Sequence, residues 1–251
     1  MLGVFGCFMI FYFNKNELKA PMGRFLIAYF IADFVNSAAK SFGQIPYKNG
    51  ETSFACQAQA ATIVCSSLSI ILFNVFILLL ILKAVYSRTR IQNPLVKYES
   101  VAILFGYILP IPFATYPLLE RFNGKTIFGN VGIWCWYSSK SPVFQIIFFY
   151  GPVWIVIISN AIVIAITWHS FKRAEHLKRL EYVTKRMVAF LIAFVITWAI
   201  ATINRLVIIM TGRSYYLLNV LQIVFSATKG FWDFLALLYC WWIRPTQKLV
   251  P

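Results

Sequence analysis

Hydrophobic residues are concentrated in seven stretches that are separated by short polar connectors. A helix needs about 20 mostly apolar residues to cross the hydrocarbon core of a bilayer, and about 17 are still sufficient. Five of the stretches reach that length, the fourth reaches it with its flanking residues, and the first resembles the end of a longer helix. The stretches are Met1–Phe13, Phe25–Phe42, Ala55–Leu82, Val101–Tyr116, Val143–Trp168, Met187–Met210 and Tyr215–Trp242.

This pattern predicts an all-α membrane protein, a seven-transmembrane helix bundle. Residues 1–251 form one domain in this prediction, with the first helix incomplete at its N-terminus and the C-terminal tail absent. Composition agrees, because 60% of the residues are hydrophobic and mean hydropathy is +0.73, whereas soluble proteins are about 45–50% apolar. The net charge of +15 lies in short connectors rather than on one face of a soluble domain, so nucleic acid is not expected as a partner.

Basic residues are concentrated in alternate connectors, and this asymmetry predicts the orientation. Connectors one, three and five, with the C-terminal residues, hold 15 of the 23 Lys and Arg residues. Short cationic loops stay in the cytoplasm, so the N-terminus is expected outside and the C-terminus inside. The expected location is the plasma membrane, crossed several times. The outer connectors hold only Lys48, Arg121, Lys125, Lys140 and Arg213.

Two cysteines lie on the side that this orientation places outside. Cys56 opens the third stretch and Cys135 lies in the fourth connector. Exterior surfaces permit disulfides, whereas Cys7, Cys65 and Cys240 fall within apolar stretches where free thiols are ordinary. We predict a Cys56–Cys135 disulfide that holds the long outer loop over the mouth of the third helix. Two unpaired thiols are the alternative.

Several short motifs resemble those of a known receptor family. Slime-mould cyclic-AMP receptors have a similar Gly-x-Trp-Cys-Trp outer loop, a similar start of the fifth helix and a similar hydrophobic-Asn-Arg triplet in the sixth. The corresponding segments here are Gly132-Ile133-Trp134-Cys135-Trp136, Phe149-Tyr150-Gly151-Pro152 and Ile203-Asn204-Arg205. Fungal glucose-sensing receptors, which are relatives of that family, resemble this chain at Ala32-Asp33-Phe34, Cys56-Gln57-Ala58-Gln59 and Gly230-Phe231-Trp232-Asp233 followed by Tyr239.

The resemblance implies a G-protein-coupled receptor that senses an extracellular small molecule and activates a heterotrimeric G protein. It implies no cofactor and no metal, places the chain in a lipid bilayer, and is compatible with a homodimer. The activation motifs of rhodopsin-like receptors cannot be transferred. The third helix ends in Lys83-Ala84-Val85-Tyr86-Ser87-Arg88 instead of Asp-Arg-Tyr, and the seventh closes on Ile243-Arg244-Pro245 instead of Asn-Pro-x-x-Tyr.

Polar side chains at membrane depth form one predicted layer. Charged groups there cost a few kcal/mol each, so each indicates a function or an internal partner. We predict that Asp33, Asn74 and Asp233 form a polar core that holds a proton or a cation. The alternative is a private ion pair between Asp233 and Lys229, four residues apart on one helix face. At about 1.5 Å per helical residue, the depths from the cytoplasmic helix ends are about 14 Å for Asp33 and Asn74, about 16 Å for Asp233 and about 18 Å for Asn160.

A second predicted layer, nearer the outside, is basic and aromatic. Lys229, Lys40 and Arg205 lie about 22, about 24 and about 28 Å from the cytoplasmic helix ends. Arginine suits bidentate contacts with phosphate or carboxylate, and aromatic faces suit a purine or a sugar ring. The combination predicts a pocket for a cyclic nucleotide, a sugar or another polar or anionic ligand. Its predicted ligand-binding residues are Lys40, Trp134, Trp136, Tyr150, Trp154, Arg205 and Lys229.

These residues also have simpler interpretations. Lys40 could extend to the headgroups, Arg205 could pair with Glu51 or Glu120, and the aromatic residues could form an interfacial belt. Anionic lipid explains much of the cytoplasmic positive charge. The resemblance adds a groove for a G-protein helix, bordered by Arg88, Arg90, Lys172, Arg173, Lys178, Arg179, Lys185 and Arg186.

Three other functional classes fit the sequence less well. An enzyme is not expected, because the two histidines lie near the end of the fifth helix and no zinc, nucleophile or phosphate-loop motif occurs. A retinal-binding photoreceptor could use Lys229, but the third stretch offers no acidic counter-ion. A membrane transporter often shows repeated halves and broken helices, and neither is visible in the sequence.

Overall fold

The computed structural model describes residues 6–7, 21–87, 92–122, 126–131, 133–138, 141–173, 181–213 and 215–242. Most of them are helical. A 3₁₀ turn (Ile45–Asn49) follows α1, and a π-helical turn (Ile146–Tyr150) joins α5 to α6. An antiparallel hairpin, β1 (Phe128–Asn130) and β2 (Cys135–Tyr137), precedes α5. The helices are α1 (Pro21–Ser41), α2 (Phe54–Ser87), α3 (Gln92–Ile108), α4 (Pro110–Phe122), α5 (Pro142–Gln145), α6 (Gly151–Arg173), α7 (Glu181–Thr211), α8 (Tyr216–Ala227) and α9 (Lys229–Trp242).

Several helices have the length and apolarity of membrane spans. In the described part of the chain, four helical spans meet both criteria, and the bent pair of α8 and α9 makes a fifth if it counts as one span. Helix α1 carries Arg24, Asp33 and Lys40 and is not among them. The structure is therefore that of a mostly helical membrane protein. Most of the predicted first stretch lies outside the described residues.

Helix α2 is central to the bundle. It packs against α1, α3, α4, α6, α7 and strand β2. Aromatic rings fill the space between α1, α2 and α3, where the centroid of Phe73 lies 5.4 Å from those of Phe25 and Tyr107, in edge-on contacts. Gly106 permits this packing, because a Cβ there would lie 2.7 Å from the Phe73 ring.

Two predicted stretches are interrupted. The fourth divides at Leu109 into α3 and α4, because Pro110 has no amide hydrogen with which to continue the helical ladder. The seventh divides at Thr228, where α8 and α9 meet at a bend of 46°. The Val224 carbonyl accepts from both the Thr228 amide, at 2.9 Å, and the Thr228 hydroxyl, at 2.6 Å. No broken helix was visible in the sequence, and the structure shows the bend in the seventh stretch.

The hairpin is fastened to the start of α2. A disulfide joins Cys56 to Cys135, with a Cα–Cα distance of 5.3 Å, and confirms the predicted bridge. Gln59 adds hydrogen bonds around it. Its side-chain oxygen accepts from the Cys135 amide at 2.9 Å, and its Nε2 donates to the carbonyls of Ala39 at 3.0 Å and Gly43 at 2.9 Å. One side chain thus connects α1, α2 and the hairpin.

An ion pair fastens the opposite end of the bundle. Arg24 on α1 forms two parallel hydrogen bonds with Glu99 on α3, each 2.7 Å long. The Glu99 carboxylate is buried, while the Arg24 side chain is half-exposed. Bidentate geometry of this kind fixes orientation as well as distance, so the ion pair holds α1 in a defined orientation relative to α3.

Candidate functional site

A buried ion cluster joins α1 to α9. The Lys229 ammonium lies 2.6 Å from Oδ2 of Asp233 and 3.2 Å from Oδ1 of Asp33. The ammonium also donates to the Tyr29 hydroxyl at 2.8 Å, and this hydroxyl donates to Oδ2 of Asp233 at 3.1 Å. None of the four residues is more than 5% exposed. We call Tyr29, Asp33, Lys229 and Asp233 the ion cluster.

Helical spacing brings the four side chains of the cluster together. Tyr29 and Asp33 are four residues apart on α1, and Lys229 and Asp233 are four apart on α9, so each pair shares one face of its helix. Two carboxylates share one ammonium in this arrangement. Oδ2 of Asp33 and Oδ1 of Asp233 have no hydrogen-bond partner among the described residues. An uncompensated buried carboxylate is costly, so the energy of the cluster depends on where the ammonium lies.

The sequence left two arrangements open for the carboxylates, an ion pair within one helix and a cluster between helices, and the ion cluster contains both. Lys229 pairs with Asp233 and also contacts Asp33 on the other helix. Asn74 has a different arrangement, because its Nδ2 donates to the Ile70 carbonyl of its own helix at 2.8 Å. Asn160 is fully buried, and its polar side-chain atoms have no partner among the described residues. No described hydrogen bond links either asparagine to the carboxylates.

A cavity lies beneath the hairpin and is bordered by α1, α2, α7, α8 and the π-helical turn. Its volume is about 20 Å³, room for about one water molecule. Aromatic rings form most of its wall, with few polar groups, which is the usual composition of a small-molecule site. Four of the predicted ligand-binding residues line this cavity, and two further rings complete its aromatic wall. The predicted four are Lys40, Trp134, Trp136 and Tyr150, and the two rings are Phe149 and Trp198.

Lys40 supplies a positive charge to the cavity. Its ammonium donates to the Ser226 hydroxyl at 2.8 Å and lies 5.3 Å from the ring centroid of Trp134 and 5.7 Å from that of Trp198. Aromatic faces stabilise a cation at such distances. The Lys40 side chain therefore extends into the bundle and not outward to the headgroups.

Arg205 supplies a second positive charge behind the aromatic wall. Its guanidinium carbon lies 5.6 Å from the ring centroid of Trp136, and the group lies beside the Tyr150 hydroxyl. Arg205 is only 6% exposed, and its Nε has no partner among the described residues. The neighbouring Asn204 donates to Gln222 at 2.5 Å, and Gln222 lines the cavity. A buried guanidinium with an unused donor is suited to an anion.

The π-helical turn Ile146–Tyr150 shapes the aromatic wall. It places the Phe149 ring centroid 4.9 Å from that of Trp136, in an edge-on contact. Gly151 permits the turn, because a Cβ there would lie 2.9 Å from the Ile146 carbonyl oxygen. Single π turns inserted next to α-helices occur often at functional sites. Outside the membrane spans, burial raises the pKa of the Tyr137 phenol above its ordinary value, so the hairpin beside the turn keeps this side chain neutral.

Other predicted site residues lie elsewhere. Lys229 belongs to the ion cluster, and Trp154 is half-buried against the hydrophobic core. Arg88, Arg90, Lys178 and Arg179, predicted to face a G protein, lie outside the described residues. The remaining four belong to α6 and α7, but their side chains lie outside the described part of the structure; these are Lys172, Arg173, Lys185 and Arg186.

Sequence reasoning missed Tyr29 of the ion cluster and seven of the residues that line the cavity, namely Ile63, Ser67, Phe149, Trp198, Ala201, Gln222 and Ser226. Gln222 and Ser226 are four residues apart in a helix that is otherwise mostly apolar, and Tyr29 has the same spacing to Asp33. This spacing places each pair on one helix face and was a usable signal. Trp198 offers no such signal, because a tryptophan in an apolar helix can face lipid or protein equally well.

Several helices long and apolar enough to cross a membrane, with a disulfide-held hairpin over an aromatic cavity, define a helical membrane protein. The chain belongs to the slime mold cyclic AMP receptor family, whose model matches residues 1–244. This confirms the family that the sequence motifs resemble.

Three proteins of Dictyostelium discoideum are similar to this chain. Cyclic AMP receptor 4 is 25% identical over 250 residues, which cover 94% of this chain and 54% of the relative. Cyclic AMP receptor 2 is 25% identical over 198 residues, or 75% of this chain and 50% of the relative. Cyclic AMP receptor 1 is 26% identical over 152 residues, or 57% and 36%. The chain thus spans about half the length, or less, of the relatives it matches.

Proposed function

We propose that this receptor is a seven-helix G-protein-coupled receptor of the plasma membrane that binds an extracellular small anion. Its N-terminus lies outside and its C-terminus inside, so the disulfide and hairpin face the exterior. A cyclic nucleotide is the first ligand to test, because the similar proteins are named as cyclic AMP receptors. Sugars and other polar ligands follow. The partner inside the cell is a heterotrimeric G protein.

The observation that carries this proposal is the pairing of cations with aromatic faces around one cavity. Lys40 lies among Trp134 and Trp198, and Arg205 lies over Trp136. A purine can stack on such rings while a phosphate binds the two cations. Neither cation contacts a carboxylate in the hydrogen bonds and ion pairs described above, so both charges are available to a ligand.

The connection from the cavity to the ion cluster runs through α1 and the bend at Thr228. Lys40 contacts Ser226 at the end of α8, and Lys229 begins α9 three residues later. A ligand that accepts the Lys40 hydrogen bond in place of Ser226 removes this attachment of α8. Helix α9 can then rotate at the bend. The turn moves Lys229 relative to Asp33. Binding then shifts an equilibrium between two helix packings, provided that the ligand prefers one of them.

A retinal-binding photoreceptor is the second candidate. Asp33 and Asp233 give Lys229 the counter-ion that the third stretch lacks. Lys229 does not line the described cavity, however, and the family named by the comparison is a receptor for a cyclic nucleotide. An absorption band in the visible range after addition of retinal would favour this candidate. A membrane transporter is left without a specific supporting observation, since helix breaks occur in both classes.

Nucleotide exchange on a purified G protein tests the proposal. The receptor in lipid nanodiscs is given a panel of cyclic nucleotides and sugars, and one of them should accelerate exchange. Lys40→Ala and Arg205→Ala should each weaken the potency of that ligand by at least about tenfold, the size of one charged hydrogen bond. Lys48→Ala is the matched control, because Lys48 is exposed beyond α1. The potency of the ligand on this variant should equal that on the parent. Exchange that no ligand stimulates would refute the proposal.

A further inference from the structure

The cavity beneath the hairpin is much smaller than a nucleotide or a sugar. Its volume of about 20 Å³ admits a single atom, or a molecule about the size of water. A larger ligand can enter only if the walls move apart. In the packing that the structure shows, the groups around the cavity can therefore hold only a very small ligand, and their chemistry indicates which one.

Two buried donors at the wall have no acceptor among the described residues. Trp198 lines the cavity and is only 8% exposed, and its indole Nε1 has no hydrogen-bond partner. Nε of Arg205 also has none, and this guanidinium lies against the ring of Trp136, another lining residue. An indole N–H and a guanidinium can only donate. Leaving such buried donors unpaired is costly, so both favour an acceptor at this site.

A serine of the cavity wall is arranged to donate as well. Asn36 on α1 donates to the hydroxyl oxygen of Ser67, which lines the cavity. The same amide donates to the hydroxyl of Ser66 at 3.1 Å, and Ser66 uses its own hydrogen on the Thr62 carbonyl at 2.6 Å. This second bond fixes the amide orientation, because Ser66 can then only accept from Asn36. The Ser67 hydroxyl hydrogen is thus left for a ligand.

The other polar lining groups have the same character. The Lys40 ammonium donates one hydrogen to Ser226 at 2.8 Å and has two more to give. Oε1 of Gln222 accepts from Asn204, which leaves the NH₂ group of Gln222 for the cavity. A water molecule has to donate two hydrogens as well as accept, whereas a monatomic anion only accepts. The lining therefore suits an anion better than a water molecule.

The buried charges in this part of the bundle do not balance. Its cations are Lys40, Arg205 and Lys229, and its carboxylates among the described residues are Asp33 and Asp233. Both carboxylates contact Lys229, and no ion pair is described for the other two cations. Charges removed from water are costly unless they are paired. One monovalent anion would make this set of five groups neutral.

We propose that the cavity binds a chloride ion. Chloride is a single atom only slightly larger than a water molecule, it carries the one missing negative charge, and it accepts from several donors at once. Its donors are the Trp198 indole, the Ser67 hydroxyl, the Gln222 amide and the Lys40 ammonium. Phosphate, sulfate and carboxylate ions are too large for the cavity in this packing, so the site is selective for halides.

Chloride and the larger ligand of the proposed function depend on the same cations, so they exclude each other. Chloride fits the narrow packing of the aromatic wall, whereas the larger ligand needs a wider one. An ion that prefers the narrow packing shifts the equilibrium away from the ligand-bound state. Chloride should therefore lower the affinity for that ligand. This second step rests on the proposed function, while chloride binding itself rests on the cavity alone.

Chloride binding is measured on the receptor in nanodiscs, with no other ligand present. The line width of the chloride NMR signal reports exchange with a bound ion, and ionic strength is kept constant with gluconate. We expect a saturable broadening that bromide removes by displacement and that gluconate, which is too large to enter, does not. Trp198→Phe, Ser67→Ala and Lys40→Met should each weaken chloride binding about tenfold, the size of one hydrogen bond to a charged group.

Two matched controls separate the cavity from general effects of substitution. Trp232→Phe is the control for Trp198→Phe, because the Trp232 Nε1 is also buried without a partner among the described residues, but Trp232 does not line the cavity. Ser69→Ala is the control for Ser67→Ala, because the Ser69 hydroxyl donates to the Cys65 carbonyl of its own helix at 3.0 Å. Both controls should bind chloride like the parent. Ser67→Ala decides the question if Trp198→Phe fails to fold.

Several outcomes would overturn the chloride site. These are broadening that does not saturate, bromide and gluconate acting alike, and cavity variants that bind chloride as well as the two controls do. Ligand-stimulated nucleotide exchange is then measured on the same discs, and potency should rise several-fold when gluconate replaces chloride. Equal potency in the two salts would refute the competition. Chloride binding without stimulated exchange refutes only the proposed function, and stimulated exchange without chloride binding refutes only the chloride site.

Discussion

Lys229 is shared between Asp33 and Asp233, so its removal leaves two buried carboxylates without a counter-charge. Breaking a buried ion pair by removing one partner costs about 3–5 kcal/mol. We expect Lys229→Met to lower the free energy of unfolding by about this amount, seen as a lower unfolding temperature of the detergent-solubilised receptor. Asp33→Asn is the control, because it leaves a one-to-one pair and should change stability much less. Equal losses in the two variants would contradict a shared ammonium.

Asp33→Asn also tests whether the ion cluster takes part in signalling. The variant removes one of the two carboxylates between which the ammonium can move. We expect ligand binding to persist and ligand-stimulated nucleotide exchange on the G protein to fall several-fold, with both measured on the same nanodisc preparation. Unchanged exchange at full ligand saturation would show that the cluster is structural only.

At the scale of residues, charge located the ion cluster, and the aromatic residues of the outer loop and of the π-helical turn located part of the cavity wall. Asp33, Asp233 and Lys229 could be found in the sequence, because an ionisable group at membrane depth needs a partner. That Lys40 turns inward depends on Trp134 and Trp198, which come from distant parts of the chain. Which face of an apolar helix meets protein and which meets lipid follows from tertiary packing and leaves little trace in the sequence.

Among the elements, the π-helical turn before α6 depends most strongly on one residue. A Cβ at Gly151 would meet the Ile146 carbonyl oxygen at 2.9 Å, so Gly151→Ala must unwind or shift the turn that carries Phe149 and Tyr150. We expect a loss of about 1–3 kcal/mol in stability and weaker ligand binding, measured by thermal unfolding and by binding to the same sample. Ala165→Ser, at an exposed position of α6, is the control and should behave like the parent.

The hairpin is the other element with a direct chemical test. With Cys7, Cys65 and Cys240 replaced by alanine, the receptor should resist a maleimide reagent until it is reduced. In the same background, Cys135→Ser should make Cys56 reactive without reduction, although its buried position will slow the reaction. Ready labelling of the unreduced background would contradict the disulfide, and mass spectrometry of the labelled peptide identifies the site.

The apolar stretches predicted the approximate ends of the helices. They did not predict where helices break. The third and sixth stretches extend beyond the predicted ends, to Phe54–Ser87 and Glu181–Thr211, because polar residues continue a helix outside the hydrocarbon. No proline lies near the bend at Thr228, so the sequence gives no signal of it. The hairpin is likewise absent from the pattern, since three-residue strands are too short to show an alternation.

At the scale of the whole molecule, the proposed orientation can be checked independently of any ligand. Epitope tags at the two ends of the chain should behave differently in intact cells, because an odd number of crossings leaves the ends on opposite sides. Antibody should reach the N-terminal tag at once and the C-terminal tag only after the cells are permeabilised. If antibody reaches both tags in intact cells, the seven-helix arrangement is wrong.

The class and family of the molecule could be predicted because they depend on redundant signals. Long apolar stretches, loop charge and the Trp-Cys-Trp loop all indicate the same answer, and no single residue decides it. The cavity could be predicted only in part, because it forms where four helices, the π-helical turn and the hairpin meet.

The position of Lys229 has an electrical consequence. In the proposed seven-helix arrangement its ammonium lies inside the bilayer, where moving one elementary charge across the whole membrane potential changes the free energy by about 2.3 kcal/mol per 100 mV. If α9 turns at Thr228, this ammonium and its shared carboxylates shift along that field. Depolarising the cell should then alter ligand potency, and a voltage-clamped membrane would record the helix movement as a small gating current.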